Sequence, residues 1–113
     1  MNETPPAQHV TRYRMTPGIA ERRIRNLAKA SDNIAWSVHA LQRMNEREIF
    51  DVDVLRILRE GMVIDPPEET KNRGEWKCKI VFKLRGAREA GAVVIVLRTD
   101  RLFVKTVEWE DLS

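Results

Sequence analysis

The 113-residue chain is predicted to be an α+β domain, with N-terminal helices packed on a three- to four-stranded antiparallel sheet. Three observations carry this expectation. Between residues 16 and 60, apolar residues recur at helical spacing. After Gly61 the periodicity changes to alternation. Ala92 to Leu97 is then apolar at every position, the pattern of a central strand covered on both faces.

Residues 1–15 are polar, contain Pro5-Pro6 and show no periodicity, so they read as a flexible arm. Residues 16–33 are expected to form a basic helical extension, and residues 34–113 the single α+β domain. Thr16-Pro17 has the chemistry of an N-cap followed by proline at the first helical position. Ala20, Ile24, Leu27 and Ala28 then share one helix face, and Arg22, Arg23, Arg25 and Lys29 lie opposite. This helix should end near Ala30. Ile34 to Trp36 reads as a short extended piece, and Ser37 as the N-cap of a second helix from Val38 to about Arg47. Its apolar stripe is Val38, Leu41 and Met44. In a third helix Asp51 is the expected N-cap, Asp53 suits the first turn, and Phe50 can staple onto Leu55. Val54, Leu55, Ile57 and Leu58 form its buried side, and Gly61 ends it.

Met62 to Ile64 reads as a short strand stopped by Asp65-Pro66-Pro67, and Glu68 to Gly74 as a polar loop. From Trp76 the alternation is strict. Trp76, Cys78, Ile80, Phe82 and Leu84 face one way, and Lys77, Lys79 and Lys83 the other. Gly86 to Gly91 is expected to turn, Thr99-Asp100 to make a second, tighter turn, and Leu102 to Trp109 to form the last strand.

Composition excludes several classes. The chain is 42% hydrophobic and 33% charged, a globular balance rather than a disordered one. The longest apolar run is six residues, whereas a spanning helix needs about 20, so no membrane association is expected. The first 18 residues hold no continuous apolar stretch, hence no secretory signal. Cys78 is the single cysteine and is read as a small buried hydrophobe. With only His9 and His39 besides, neither a metal nor another cofactor is expected, and a cytoplasmic setting fits. The formal net charge of +3 conceals two basic segments. Residues 12–29 hold six Lys or Arg against Glu21, and residues 71–88 hold seven against Glu75.

The residues able to carry chemistry fall in these basic segments and on the second helix. His39, Arg43 and Arg47 lie at i, i+4 and i+8, on roughly one helix face. An imidazole beside two cations is disfavoured in its protonated form and so available as a base. The guanidinium groups suit a phosphate. This set fits phosphodiester chemistry, although on spacing alone a solvated helix face is the commoner reading. Lys77, Lys79 and Lys83 read either as a phosphate-tracking strand face or as a lysine-protected edge. The basic first helix is a charged outer face, a nucleic-acid contact or a docking surface for a partner. On the last strand, Thr106 can donate to a phosphate, and an exposed Trp109 could stack on a base.

The run from Trp36 to Ile49, S-x-H-A-x-x-R-M-x-x-R-x-I, resembles a small bacterial family catalogued as domain of unknown function 4258. The helix exit from Val54 through Leu58 to Gly61 and a terminal strand ending near Thr106-Val107 add to the likeness, which covers about residues 34–109. The resemblance implies a fold similar to the RelE and BrnT toxins, and the activity of a metal-independent endoribonuclease. Its partners would be RNA and a cognate antitoxin protein. By position it implies a site of His39, Arg43, a lysine at 77 or 79, and Thr106, with Arg47 beside them. Gly74-Glu75 matches a Gly-Glu pair of BrnT-like chains. The expected catalytic set is therefore His39, Arg43, Lys79 and Thr106, with Arg47, Lys77, Lys83 and Trp109 as RNA contacts. In a different class stands a non-catalytic nucleic-acid or protein-binding module of the same fold.

Overall fold

A computed structural model describes residues 14–111 of the chain. Most of the expected arm lies outside the described residues; of its last two, Arg14 is exposed and Met15 is buried in the core.

Helix α1 (Pro17–Leu27) starts as its sequence dictates: the Thr16 Oγ1 accepts the Ile19 N–H and proline opens the first turn. It buries Ala20 and Ile24. The helix stops at Leu27 rather than Ala30 because the Asn33 side-chain amide donates to the Leu27 carbonyl, and Ser31–Asn33 tighten into a 3-10 turn. Strand β1 (Ile34–Trp36) leads through Ser37 into α2 (Val38–Arg47), and α3 (Asp51–Glu60) follows. The remaining strands are β2 (Met62–Val63), β3 (Glu68–Glu69), β4 (Trp76–Arg85), β5 (Arg88–Val96) and β6 (Leu102–Trp109).

The domain is α+β, but its sheet differs from the expected antiparallel meander. Six strands form it, in the order β1-β6-β5-β4, with β2 and β3 both paired to the outer edge of β4. The sheet is mixed, because β1 runs parallel to β6 with Ile34 opposite Leu102 and Trp36 opposite Val104. Parallel pairing requires a long crossover, here all the chain from α2 to β5. Within the segment read as a polar loop, β3 forms because Glu68 and Glu69 find Lys77 and Trp76 across β4.

Four further local expectations are corrected. The turn read over Gly86 to Gly91 is shorter, because β5 begins at Arg88 and Ala90 is buried within the ladder. Strand β5 is central, yet only one of its faces is fully covered; Val93 and Ile95, on the other face, are half-buried. On α2 the inward side is Ala40 and Met44, while Val38 is 73% and Leu41 51% exposed. Ala40 and Met44, four residues apart, define the buried row, and Val38 and Leu41 lie off it. The N-cap of α3 is Phe50 rather than Asp51; the Asp53 carboxylate accepts the Phe50 N–H at 2.9 Å, which holds the first turn.

The helices cover one face of the sheet. Ile24, Ala40, Met44, Val54, Ile57 and Leu58 pack with Cys78 and Ile80, Ala92 and Val94, Val104 and Val107. Each fully buried Ile or Leu in this layer contributes on the order of 2 kcal/mol. Among the described residues no helix is long and apolar enough to cross a membrane.

Candidate functional site

Helix α2 is anchored at its first residue. The Ser37 Oγ accepts the Ala40 N–H at 2.9 Å and donates to the Lys105 carbonyl at 2.8 Å, while the Ser37 N–H donates to the Val104 carbonyl. One side-chain oxygen thus caps the helix and ties it to β6. His39 stands in the first turn, exposed, with no hydrogen bond or ion pair among the described residues. Arg43 is half-buried and turned to its own helix, its Nη1 2.8 Å from Glu46. Arg47, one turn on, has no acidic partner among the described residues. Its carbonyl accepts the Trp109 indole N–H at 2.9 Å. The three side chains follow one flank of α2, beside its buried row.

The strand half of the expected site assembles on the opposite face of the sheet. Cys78 and Ile80 point into the core, so Lys77, Lys79 and Lys83 project the other way. Register places Lys79 beside Val93 and Val93 beside Thr106, aligning lysine and threonine across three strands. A bulge between Val93 and Val94 makes Lys105 the extra residue of β6 and keeps Thr106 on this face. The structure therefore brings His39, Arg43 and Arg47 together on one layer and Lys79 with Thr106 on the other. The sheet lies between the two groups, and among the described residues no hydrogen bond or ion pair joins them.

Two of the three lysines already have carboxylate partners. Lys77 lies 3.6 Å from Glu68, and Lys79 lies 2.7 Å from Glu110. The hydrogen bond to Glu110 holds the Lys79 ammonium above its ordinary pKa, so its charge is both fixed and offset. Lys83 alone stays unpaired among the described residues. Trp109 is 4% exposed, and the Arg88 guanidinium sits 4.1 Å from the centre of its ring, so it packs at the end of the sheet and is not the exposed ring the sequence allowed. Cys78 is buried, and burial pushes its thiol up to about 12. Among the described residues no group of three or more His, Cys, Asp or Glu side chains is placed to hold a metal ion.

A feature missed in the sequence lies between α1 and α3. Arg25 of α1 reaches the last carbonyls of α3, with Nη2 2.7 Å from the Gly61 oxygen and 3.4 Å from that of Glu60. Arg59 of α3 answers by donating from Nε to the Ala28 carbonyl at 2.7 Å, at the end of α1. A groove of about 570 Å³ opens there, lined by Arg22, Arg25, Asn26, Lys29 and Arg59. Arg22, Arg25 and Asn26 of α1, with Lys29 just past its end, occupy i, i+3, i+4 and i+7, a row legible in the sequence. Arg59 belongs to another helix, and nothing local announces its approach.

Geometry thus defines an α+β domain with a three-helix layer on one face of a mixed sheet. Cations without an acidic partner among the described residues stand on both sides, Arg22, Lys29 and Arg47 with the helices and Lys83 and Lys105 on the sheet. The family model described as "Domain of unknown function (DUF4258)" matches residues 36–109, and the chain belongs to that family. The match runs from the end of β1 to the end of β6, leaving α1 outside it. Neither the curated proteins nor the solved structures contain a significant match.

Proposed function

We propose that this is an RNA-binding domain of the RelE/BrnT kind, engaging RNA through its helical layer. The supporting observation is the distribution of unpaired cations. Lys79 at the centre of the open sheet face is neutralised by Glu110 and Lys77 faces Glu68, although Lys83 and Lys105 of that face are unpaired among the described residues. On the helical side Arg22, Lys29 and Arg47 have no acidic partner among the described residues, and two of them line one groove free of carboxylates. Unmatched cations are what a phosphate backbone rewards, through release of its condensed counterions.

In the catalytic form of this reading, His39 takes the proton of a ribose 2′-hydroxyl as its oxygen attacks the neighbouring phosphorus. The P–O5′ bond breaks, leaving a 2′,3′-cyclic phosphate, and the departing 5′-oxygen takes a proton from water. Arg43 and Arg47 then stabilise the charge gathering on the phosphate oxygens. The non-catalytic form is favoured by one observation: Lys79 and Thr106 lie across the sheet from His39, so the four-residue set cannot close on one phosphate.

One experiment separates the forms. The purified chain is titrated into labelled single-stranded RNA between 50 and 200 mM salt, and the same samples are run on a denaturing gel. Affinity that falls steeply with salt supports the RNA-binding reading, and absence of binding at low salt refutes it. Products that disappear with His39→Ala establish cleavage; binding without products leaves the binding module.

A further inference from the structure

We propose that the groove between α1 and α3 is a phosphate-binding site. Four cations line it, Arg22, Arg25, Lys29 and Arg59, and among the described residues no carboxylate does. The simplest alternative is that these arginines exist to cap helices, since cations suit the C-terminal ends where carbonyls are left over. That accounts for part of Arg25 and Arg59: each uses one nitrogen on the carbonyls of the other's helix. It does not account for Arg22 and Lys29, which cap nothing and pair with nothing among the described residues.

Of the nearby carboxylates, Glu21 pairs with the groove's own Arg25, and Glu60 is engaged elsewhere. Glu21 accepts the Val63 N–H with Oε1 at 2.9 Å and faces Arg25 with Oε2 at 3.3 Å. Glu60 faces Arg56 at 3.7 Å. Arg25 is thus held by two backbone carbonyls and by Glu21, which offsets part of its charge, whereas Arg59 is held by a backbone carbonyl alone, with N–H groups left over. Arg59 donates to Ala28 through Nε, and its Nη nitrogens make no hydrogen bond or ion pair among the described residues. Anchoring removes much of the entropy cost of ordering an arginine around a ligand. The Asn26 amide adds a neutral donor in the centre of the row.

The dimensions suit more than one phosphate. Arg22 and Lys29 are seven residues apart, Lys29 standing just past the end of α1, so the row is on the order of 10 Å long, longer than one phosphate group. A strand laid along α1 would bring more than one phosphate to the row. The phosphate chemistry stands alone; only its assignment to a strand rests on the RNA-binding reading above.

The test uses the full chain and the variant Arg22→Gln/Lys29→Gln, whose two sites are exposed and whose native side chains make no hydrogen bond among the described residues. Pyrophosphate is titrated while backbone amide resonances are followed, and labelled single-stranded RNA is titrated in parallel between 50 and 200 mM salt. Pyrophosphate should shift the amides around Arg22 to Lys29 and Arg59, and the variant should lose those shifts. Its RNA affinity should fall about tenfold at 0.1 M salt. The slope of log affinity against log salt should shrink by about 1.4, or about 0.7 for each phosphate the variant no longer neutralises. RNA binding that persists unchanged in the variant, with no pyrophosphate response at the groove, overturns the site and leaves the RNA reading intact. A pyrophosphate response without any RNA binding does the reverse, leaving the groove a site for a small phosphorylated ligand.

Discussion

Glu110 reaches Lys79 across the strand between them, with oxygen and nitrogen 2.7 Å apart, because that strand carries Gly91 at the crossing. A Cβ on residue 91 would lie 2.5 Å from the Glu110 Oε2 and 3.1 Å from the Lys79 Cε. The glycine is there for close approach, not for an unusual backbone angle. The ion pair fastens the chain after β6 over the sheet and neutralises the lysine at the centre of the open face.

Gly91→Ala should therefore expel the carboxylate and destabilise the fold by about 1–3 kcal/mol, the usual cost of overpacking a buried position. Urea unfolding measures it. Lys79→Met should cost less in the Gly91→Ala background than in the wild type, because the pair is already broken there. Equal costs in both backgrounds would show that the pair does not depend on the glycine.

Stability should decline on the alkaline side. The Lys79 pKa is raised by its hydrogen bond to Glu110, and the Cys78 thiol is pushed up to about 12 by burial. Both shifts have the same sign: the folded state holds its proton where the unfolded state has lost it. The contribution of each is whole below its ordinary pKa and is lost as pH rises through the folded value. Unfolding free energy should fall from about pH 9 upward, beginning with Cys78, and Cys78→Ala should flatten the early part of that decline. The same burial makes the thiol unreactive toward alkylating reagents at about pH 8 until denaturant is added.

Ser37→Ala should remove two interactions at once, the cap on the Ala40 N–H and the bond to the Lys105 carbonyl. The expected loss is about 1–3 kcal/mol. Ser37→Asp restores the cap but cannot donate to the carbonyl, so it should recover only part of the loss. Full recovery would show that the cap alone matters.

Two glycines should respond differently to alanine. A Cβ on Gly61 would meet the Ile57 carbonyl at 2.5 Å and the Val81 carbonyl at 2.7 Å, backbone atoms that cannot yield cheaply. Gly86 sits at φ 60° with nothing within 4 Å of its Cβ position. Gly86→Ala should cost about 1 kcal/mol, as expected for a left-handed residue, and Gly61→Ala clearly more. Thermal unfolding of the two variants side by side decides the order.

Much of the local structure was legible in the chain. Thr16-Pro17 and Ser37 start helices through side-chain oxygens that act within three residues. The alternation from Trp76 to Leu84 announces a strand with a core side, and Cys78 falls on that side as its apolar neighbours require. The likeness centred on His39, Arg43 and Arg47 likewise lay in one contiguous run, within the residues 36–109 that the family model matches.

What could not be read depends on partners distant in sequence. Strand β1 is too short to signal its direction, and only its pairing with β6 makes the sheet mixed. Val38 and Leu41 resemble a buried stripe, but the row that packs inward is Ala40 and Met44. Lys79 counts as a free cation along the chain and becomes a neutralised one when Glu110 folds over Gly91. The helices, strands and charge rows thus follow from interactions spanning a few residues, which the sequence alone specifies. Which charges meet, which cancel, and on which face of the sheet each candidate residue stands were decided by long-range packing. Burial of apolar surface sets that arrangement, and it has no local signature.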